Sequence, residues 1–104
     1  MPVIDLSPQA VAEALDAGDI ILVDVREPYE FDAERIKGAV SLPLSAIDPA
    51  AVPQVDGKTI VLSCAGGVRS ARAADYLQAA GLDVKHHLAG GLNAWKLAGL
   101  PTER

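Results

Sequence analysis

The chain has 104 residues, half of them hydrophobic, and a net charge of −5. This length fits a single domain over residues 1–104 that buries roughly 60–70% of the surface its unfolded chain exposes, with 102–104 expected as a flexible tail. The acidic balance supplies no basic field for nucleic acid or an anionic membrane surface, and no apolar run approaches the ~18 residues of a membrane span. Met1-Pro2-Val3-Ile4-Asp5 lacks the charged and apolar regions of a secretory signal, so the expected location is cytoplasmic. Cys64 is the sole cysteine, which excludes an internal disulfide and a resolving thiol in the same chain. One cysteine and two histidines also argue against a structural zinc site.

In chain order, Ser7 caps a helix that begins at Pro8, carries Val11, Ala14 and Leu15 on one face and stops at Gly18. Ile20-Ile21-Leu22-Val23-Asp24-Val25 is a largely β-branched run, the pattern of a strand buried on both faces. A helical turn over Pro28 to Ala33 precedes a strand at Ala39 to Leu42, stopped by Pro43. Pro49 and Pro53 allow only short turns between Ser45 and Gly57. Thr59 to Cys64 reads as another buried strand, Ser70 to Ala80 as a helix ended by Gly81, Val84 to Leu88 as a strand, and Leu92 to Ala98 as a last helix before Gly99 and Pro101. This alternation predicts an α/β fold with a mainly parallel sheet covered on both faces and a site beyond the carboxyl ends of its strands.

Cys64-Ala65-Gly66-Gly67-Val68-Arg69-Ser70 falls where a buried strand gives way to a helix. Two glycines permit a sharp turn. Successive N–H groups of such a turn can point inward as an anion nest, reinforced by the positive end of the following helix. A cysteine at the rim of that nest has its pKa lowered and becomes a nucleophile. The main-chain N–H groups of Ala65, Gly66, Gly67, Val68, Arg69 and Ser70 are expected to hold the resulting negative charge. Arg69 is a poor match for the helix dipole at that position, which predicts an anionic partner for its guanidinium fork.

The segment resembles the active-site loop of rhodanese-like sulfurtransferases. The resemblance continues through Leu22-Val23-Asp24-Val25-Arg26-Glu27 with Tyr29-Glu30-Phe31, through Ile36-Lys37-Gly38-Ala39-Val40-Ser41-Leu42-Pro43-Leu44, and through Leu88-Ala89-Gly90-Gly91-Leu92-Asn93-Ala94-Trp95 with Gly99-Leu100-Pro101. It implies a three-layer domain with a five-stranded, mainly parallel sheet. It also implies an activity: Cys64 takes a sulfane sulfur from a small anionic or persulfide donor and passes it to cyanide, a thiol or a partner protein, without metal or organic cofactor.

Two departures qualify the match. Glu34-Arg35 stand where family members often have Gly-His, and Ala65 follows the cysteine where many thiosulfate-using members carry Arg or Lys. Arg69 is then the one fixed cation of the loop, which favours a persulfide donor over thiosulfate. A non-catalytic rhodanese-like binding module and a cysteine phosphatase or arsenate-handling enzyme are the alternatives. Cysteine phosphatases place one residue more between cysteine and arginine than the four of Ala65 to Val68, a wider cradle suited to phosphate. No Gly-Lys-Ser/Thr follows the glycines, which rules out a Walker loop.

Outside the loop, Asp24 and Arg26 are expected to brace it by an ion pair or hydrogen bonds. Glu27 and Glu30 are expected to favour the start of the following helical turn and solvent, and Arg72 a solvated surface. His86 and His87 point to opposite faces of a strand and read as ordinary strand positions, and Trp95 reads as core filling.

Overall fold

The computed structural model describes residues 3–104. Five strands form one sheet: β1 (Ile4–Leu6), β2 (Ile20–Asp24), β3 (Val40–Ser41), β4 (Thr59–Ser63) and β5 (His86–Leu88). Their order across the sheet is β1-β5-β4-β2-β3, and every pairing is parallel. Four α-helices connect them: α1 (Pro8–Ala17), α2 (Pro28–Ala33), α3 (Val68–Ala79) and α4 (Gly91–Leu97), with 3₁₀ turns at Leu44–Ala46 and Pro49–Ala51.

The central strands are apolar over most of their length, Ile20 to Val23 and Ile60 to Leu62, because both faces are covered. Alternation assigns each residue to a side. Ile60, Leu62 and Cys64 pack with Val23 and with Ala73, Ala74 and Leu77 of α3. Val61 and Leu22 pack on the opposite side with Leu88, with Val11 of α1 and with Leu92 and Trp95 of α4. Small Ala73 and Ala74 let α3 lie close to the strands, and Leu77 fills the space below it. Trp95 is core filling with its polar edge satisfied, Nε1 donating to the Pro101 carbonyl at 2.9 Å.

The predicted start of α1 matches its structure, with Ser7 Oγ accepting from the Ala10 N–H at 3.1 Å and Pro8 at the first helical position. Several boundaries differ. The strand expected over Ala39 to Leu42 shrinks to Val40–Ser41, the one over Val84 to Leu88 to His86–Leu88, and α3 begins at Val68 rather than Ser70. The chain-order reading had no strand at the amino end, where β1 pairs in register with β5, Asp5 opposite His87.

Within residues 102–104, expected as a flexible tail, Thr102 and Glu103 are instead tied to the body. Arg35 and Glu103 exchange both main-chain hydrogen bonds, at 2.9 and 2.8 Å, and Thr102 Oγ1 donates to Glu34 at 2.7 Å. The two positions that depart from the usual Gly-His thus clamp the carboxyl end, Glu34 also meeting Lys96 at 2.9 Å and Arg35 lying over the Phe31 ring. Among the described residues no helix is long and apolar enough to cross a membrane.

Candidate active site

β4 ends at Ser63 and delivers Cys64 to the carboxyl edge of the sheet on the α3 side. The chain then turns through Gly66 and Gly67 into α3. Gly67 makes the turn, with φ at 96°, a region that disfavours any residue carrying a Cβ. A Cβ there would also press on the Gly90 main chain, 3.3 Å away.

The sulfur lies at the floor of the loop and not at its rim. Cys64 is only 1% exposed, which corrects the expected placement. Its immediate partners are nonetheless polar. The Gly67 N–H donates to Sγ at 3.0 Å, and Ser70 Oγ lies 3.5 Å from Sγ. Burial pushes the thiol up, but hydrogen bonding from the Ser70 side chain and from the N–H groups of Ser70, Gly67 and Gly66 outweighs it and leaves the pKa below its ordinary value. Of the six N–H groups expected to hold the charge, that of Gly67 donates to the sulfur at 3.0 Å, and those of Gly66 and Ser70 contribute to lowering its pKa.

A second pair of glycines supports the loop from below. α4 begins at Gly91, and its first N–H groups are aimed at the cysteine segment: Leu92 donates to the Cys64 carbonyl at 2.8 Å and Asn93 to the Ala65 carbonyl at 3.0 Å. A Cβ on Gly91, at φ 59°, would overlap the Cys64 carbonyl oxygen. Gly90-Gly91 is therefore more than a turn. It permits the close approach that ties the start of α4 to the backbone of Cys64.

Arg69 has an anionic partner, and that partner belongs to the protein. Nη1 meets Glu30 Oε1 at 2.7 Å and Nη2 meets Oε2 at 3.0 Å, a two-pronged pair. The expectation of Glu30 facing solvent is overturned. Its carboxyl is held down to about 2, first by hydrogen bonding to Arg69 against an opposing contribution from burial. The same contact raises Arg69, with smaller contributions of the same sense from the charges of Cys64 and Tyr29.

Asp24 and Arg26 hold Glu30 in place. The Arg26 guanidinium meets Asp24 Oδ2 at 2.8 Å, both side chains being almost wholly buried. Arg26 also donates to the Glu34 carbonyl at 2.6 Å and the Glu30 carbonyl at 3.4 Å, gripping the carboxyl end of α2. The Glu27 N–H donates to Glu30 Oε1 at 3.1 Å, and Ser45 Oγ donates to the Glu27 carboxylate at 2.7 Å. Glu27 therefore anchors the start of α2, and the helix presents Glu30 to the cysteine loop.

His87, read from sequence as an ordinary strand position, is buried beside the loop. Its Nδ1 lies 2.8 Å from Ser70 Oγ and its Nε2 2.6 Å from Asp5 Oδ1. Nothing local in the sequence marks it, because its partners are 17 and 82 residues away. Glu30 did carry a signal, since it falls inside the block Tyr29-Glu30-Phe31.

Comparison with known proteins agrees with this architecture. Residues 7–98 match the rhodanese-like domain family. The uncharacterized protein slr1261 of Synechocystis is 48% identical over 95% of this chain, which spans 55% of that protein. A sulfurtransferase of Allochromatium vinosum is 36% identical, covering 83% of this chain and 80% of its own length. Among solved structures, a Rhodopseudomonas palustris protein of unknown function, described as a possible tyrosine phosphatase, superposes with a TM-score of 0.83 at 32% identity, covering 97% of this chain and 85% of its own. The chain spans only about half the length of the cyanobacterial relative, and a quarter of a probable adenylyltransferase/sulfurtransferase of Mycobacterium tuberculosis. With a parallel five-stranded sheet, a cysteine turn at its carboxyl edge and this run of matched residues, the chain belongs to the rhodanese-like domain family.

Proposed function

We propose that this domain is a sulfurtransferase working through a persulfide on Cys64. The thiolate attacks the outer, sulfane sulfur of a donor; the new S–S bond forms as the donor's own bond to that sulfur breaks, and its electron pair leaves with the departing thiolate or sulfite. A thiolate, cyanide or partner-protein thiol then attacks the outer sulfur of the Cys64 persulfide and returns Cys64 as thiolate. Each step conserves charge and needs no cofactor. Ser70 and the N–H groups of Gly66, Gly67 and Ser70 carry the negative charge between steps. The acidic surface and lone thiol suit a reducing compartment, and we place the reaction in the cytoplasm.

The observation that carries this reading is a cysteine whose sulfur accepts from the Gly67 N–H at 3.0 Å and whose pKa is lowered despite burial. A purely structural cysteine has no need of such a setting. The sulfurtransferase of Allochromatium vinosum points the same way by its name. A persulfide donor fits better than thiosulfate, because Arg69 is engaged by Glu30 and Ala65 adds no cation. A phosphatase reading draws on the description of the Rhodopseudomonas relative, but a loop with four residues between Cys64 and Arg69 is tight for a phosphoryl group.

The test compares transfer rates with thiosulfate, a small-thiol persulfide and 3-mercaptopyruvate, for the wild type and Cys64→Ser. The small-thiol persulfide should be the best donor and the variant should transfer none. Hydrolysis of an aryl phosphate without any sulfur transfer would replace this reading with the phosphatase one.

A further inference from the structure

Cys64, Ser70, His87 and Asp5 form one hydrogen-bonded line from the buried sulfur to the surface. The separations along it are 3.5 Å from Sγ to Ser70 Oγ, 2.8 Å from Oγ to His87 Nδ1, and 2.6 Å from Nε2 to Asp5 Oδ1. The His87 ring is nearly enclosed, with 9% of its side chain exposed, whereas 73% of the Asp5 side chain is open to solvent. Parallel register builds the line, since Asp5, His87 and Leu62 lie opposite one another on β1, β5 and β4. A fourth contact ends on Ser70, whose Oγ is 3.2 Å from the Gly67 carbonyl.

Proton counting decides what this line can do. A carboxylate only accepts, so the bond to Asp5 places a proton on His87 Nε2. Ser70 has a single hydroxyl proton. If that proton goes to Nδ1, the serine oxygen is left to accept from the Cys64 S–H, and the sulfur is a thiol. If Ser70 donates to a Cys64 thiolate, its oxygen must accept from Nδ1–H, and both ring nitrogens then carry protons. Keeping the whole line while the sulfur is ionised therefore requires an imidazolium.

We propose that His87 is a positioning residue that takes the Cys64 proton through Ser70, giving a thiolate–imidazolium pair whose outer end is held by Asp5. In the forward shift the S–H bond breaks and a new Oγ–H bond forms. The original hydroxyl proton moves to Nδ1, with no net change in protons or electrons. When a donor takes part, the thiolate is already formed, and when an acceptor strips the outer sulfur, the returning thiolate meets the same cation. Among the described residues, the following groups face the ring. β1 supplies Asp5, the end of β4 supplies Cys64 through Ser70, and β4 itself offers apolar Leu62 in register. α3 offers Ser70, and a Cβ added to Gly67 would come within 3.8 Å of Cε1.

The experiment reads ionisation directly, in the full chain with no sulfur donor present, so it stands apart from the transfer assay. Thiolate ultraviolet absorbance is titrated in the wild type, His87→Asn and Asp5→Asn, with iodoacetamide alkylation as a second readout and circular dichroism to report folding. His87→Asn should lower thiolate content near pH 6.5 by about tenfold, one pKa unit, while the high-pH alkylation limit stays within twofold. Asp5→Asn, at an exposed site, should shift the titration the same way by roughly threefold. Superimposable thiolate titrations in wild type and folded His87→Asn overturn the proposal. If His87→Asn does not fold, an unshifted Asp5→Asn overturns it equally. Variants that shift as expected, beside a wild type that forms no persulfide, defeat the transfer reading and leave the relay standing.

Discussion

The Arg69 guanidinium faces Glu30 fork to fork, Nη1 to Oε1 at 2.7 Å and Nη2 to Oε2 at 3.0 Å, across 39 residues of sequence. The cation best placed to greet an anionic sulfur donor is therefore already occupied, and a donor has to compete with a carboxylate for it.

Weakening that pair should change donor preference. In Glu30→Gln the amide oxygen can still accept from the Glu27 N–H, so the start of α2 survives, but the opposing charge is gone. We expect the KM for thiosulfate to fall about three- to tenfold, corresponding to roughly 1 kcal/mol of freed ion-pair interaction, with little change for an uncharged persulfide ester. Steady-state kinetics with both donors checks this. An unchanged thiosulfate KM would mean that Arg69 does not meet the donor.

The same pair sets a pH dependence of stability. Glu30 drops from 4.5 unfolded to about 2 folded, chiefly through Arg69. A carboxylate with a depressed folded pKa stabilises fully above its unfolded value and loses that contribution as pH falls through the folded one. The stability gap between wild type and Glu30→Gln should be constant from neutral pH down to about 5 and then close towards pH 2. Urea unfolding across that range measures it, and a gap that persists at pH 2 would contradict the assignment.

Asp24→Asn tests the brace behind the site. It leaves the Arg26 guanidinium buried without its counter-charge, a change that typically costs about 3–5 kcal/mol. Equilibrium unfolding should show a loss of that size. A loss under 1 kcal/mol would mean that Arg26 finds another partner.

Gly91→Ala and Gly81→Ala separate backbone strain from close approach. Both glycines have positive φ, at 59° and 93°, but a Cβ at Gly81 meets open space and one at Gly91 meets the Cys64 carbonyl. Gly81→Ala should cost about 1–2 kcal/mol, the left-handed penalty alone. Gly91→Ala should cost about 2–5 kcal/mol once overpacking is added, and should lower Cys64 reactivity as well. Equal losses in the two variants would refute the role given to the start of α4.

The legible parts of this structure were those written locally. Ser7 and Pro8 announce α1, the apolar run from Ile20 announces a strand buried on both faces, and the strand–Gly-Gly–helix order around Cys64 announces the site. β1 was missed because a three-residue strand, Ile4-Asp5-Leu6, is too short to show a period and is exposed at two of its positions. The contacts of Glu30 and His87 were hidden for another reason, although the block Tyr29-Glu30-Phe31 marked the neighbourhood of Glu30. Each depends on a partner brought close by the sheet order, and side-chain type alone leaves a Glu on a helical turn or a His in a strand looking ordinary. The depth of Cys64 was misjudged because nothing in the loop sequence tells how closely α3 and the strands enclose it.

The most direct test of the account is the mass of the intact protein after treatment with a small-thiol persulfide and removal of excess reagent. The wild type should gain one sulfur atom, lose it on adding cyanide or a thiol, and show no gain in Cys64→Ser. A wild type that gains nothing, or a serine variant that gains as much, would contradict the claim that Cys64 carries the transferred sulfur.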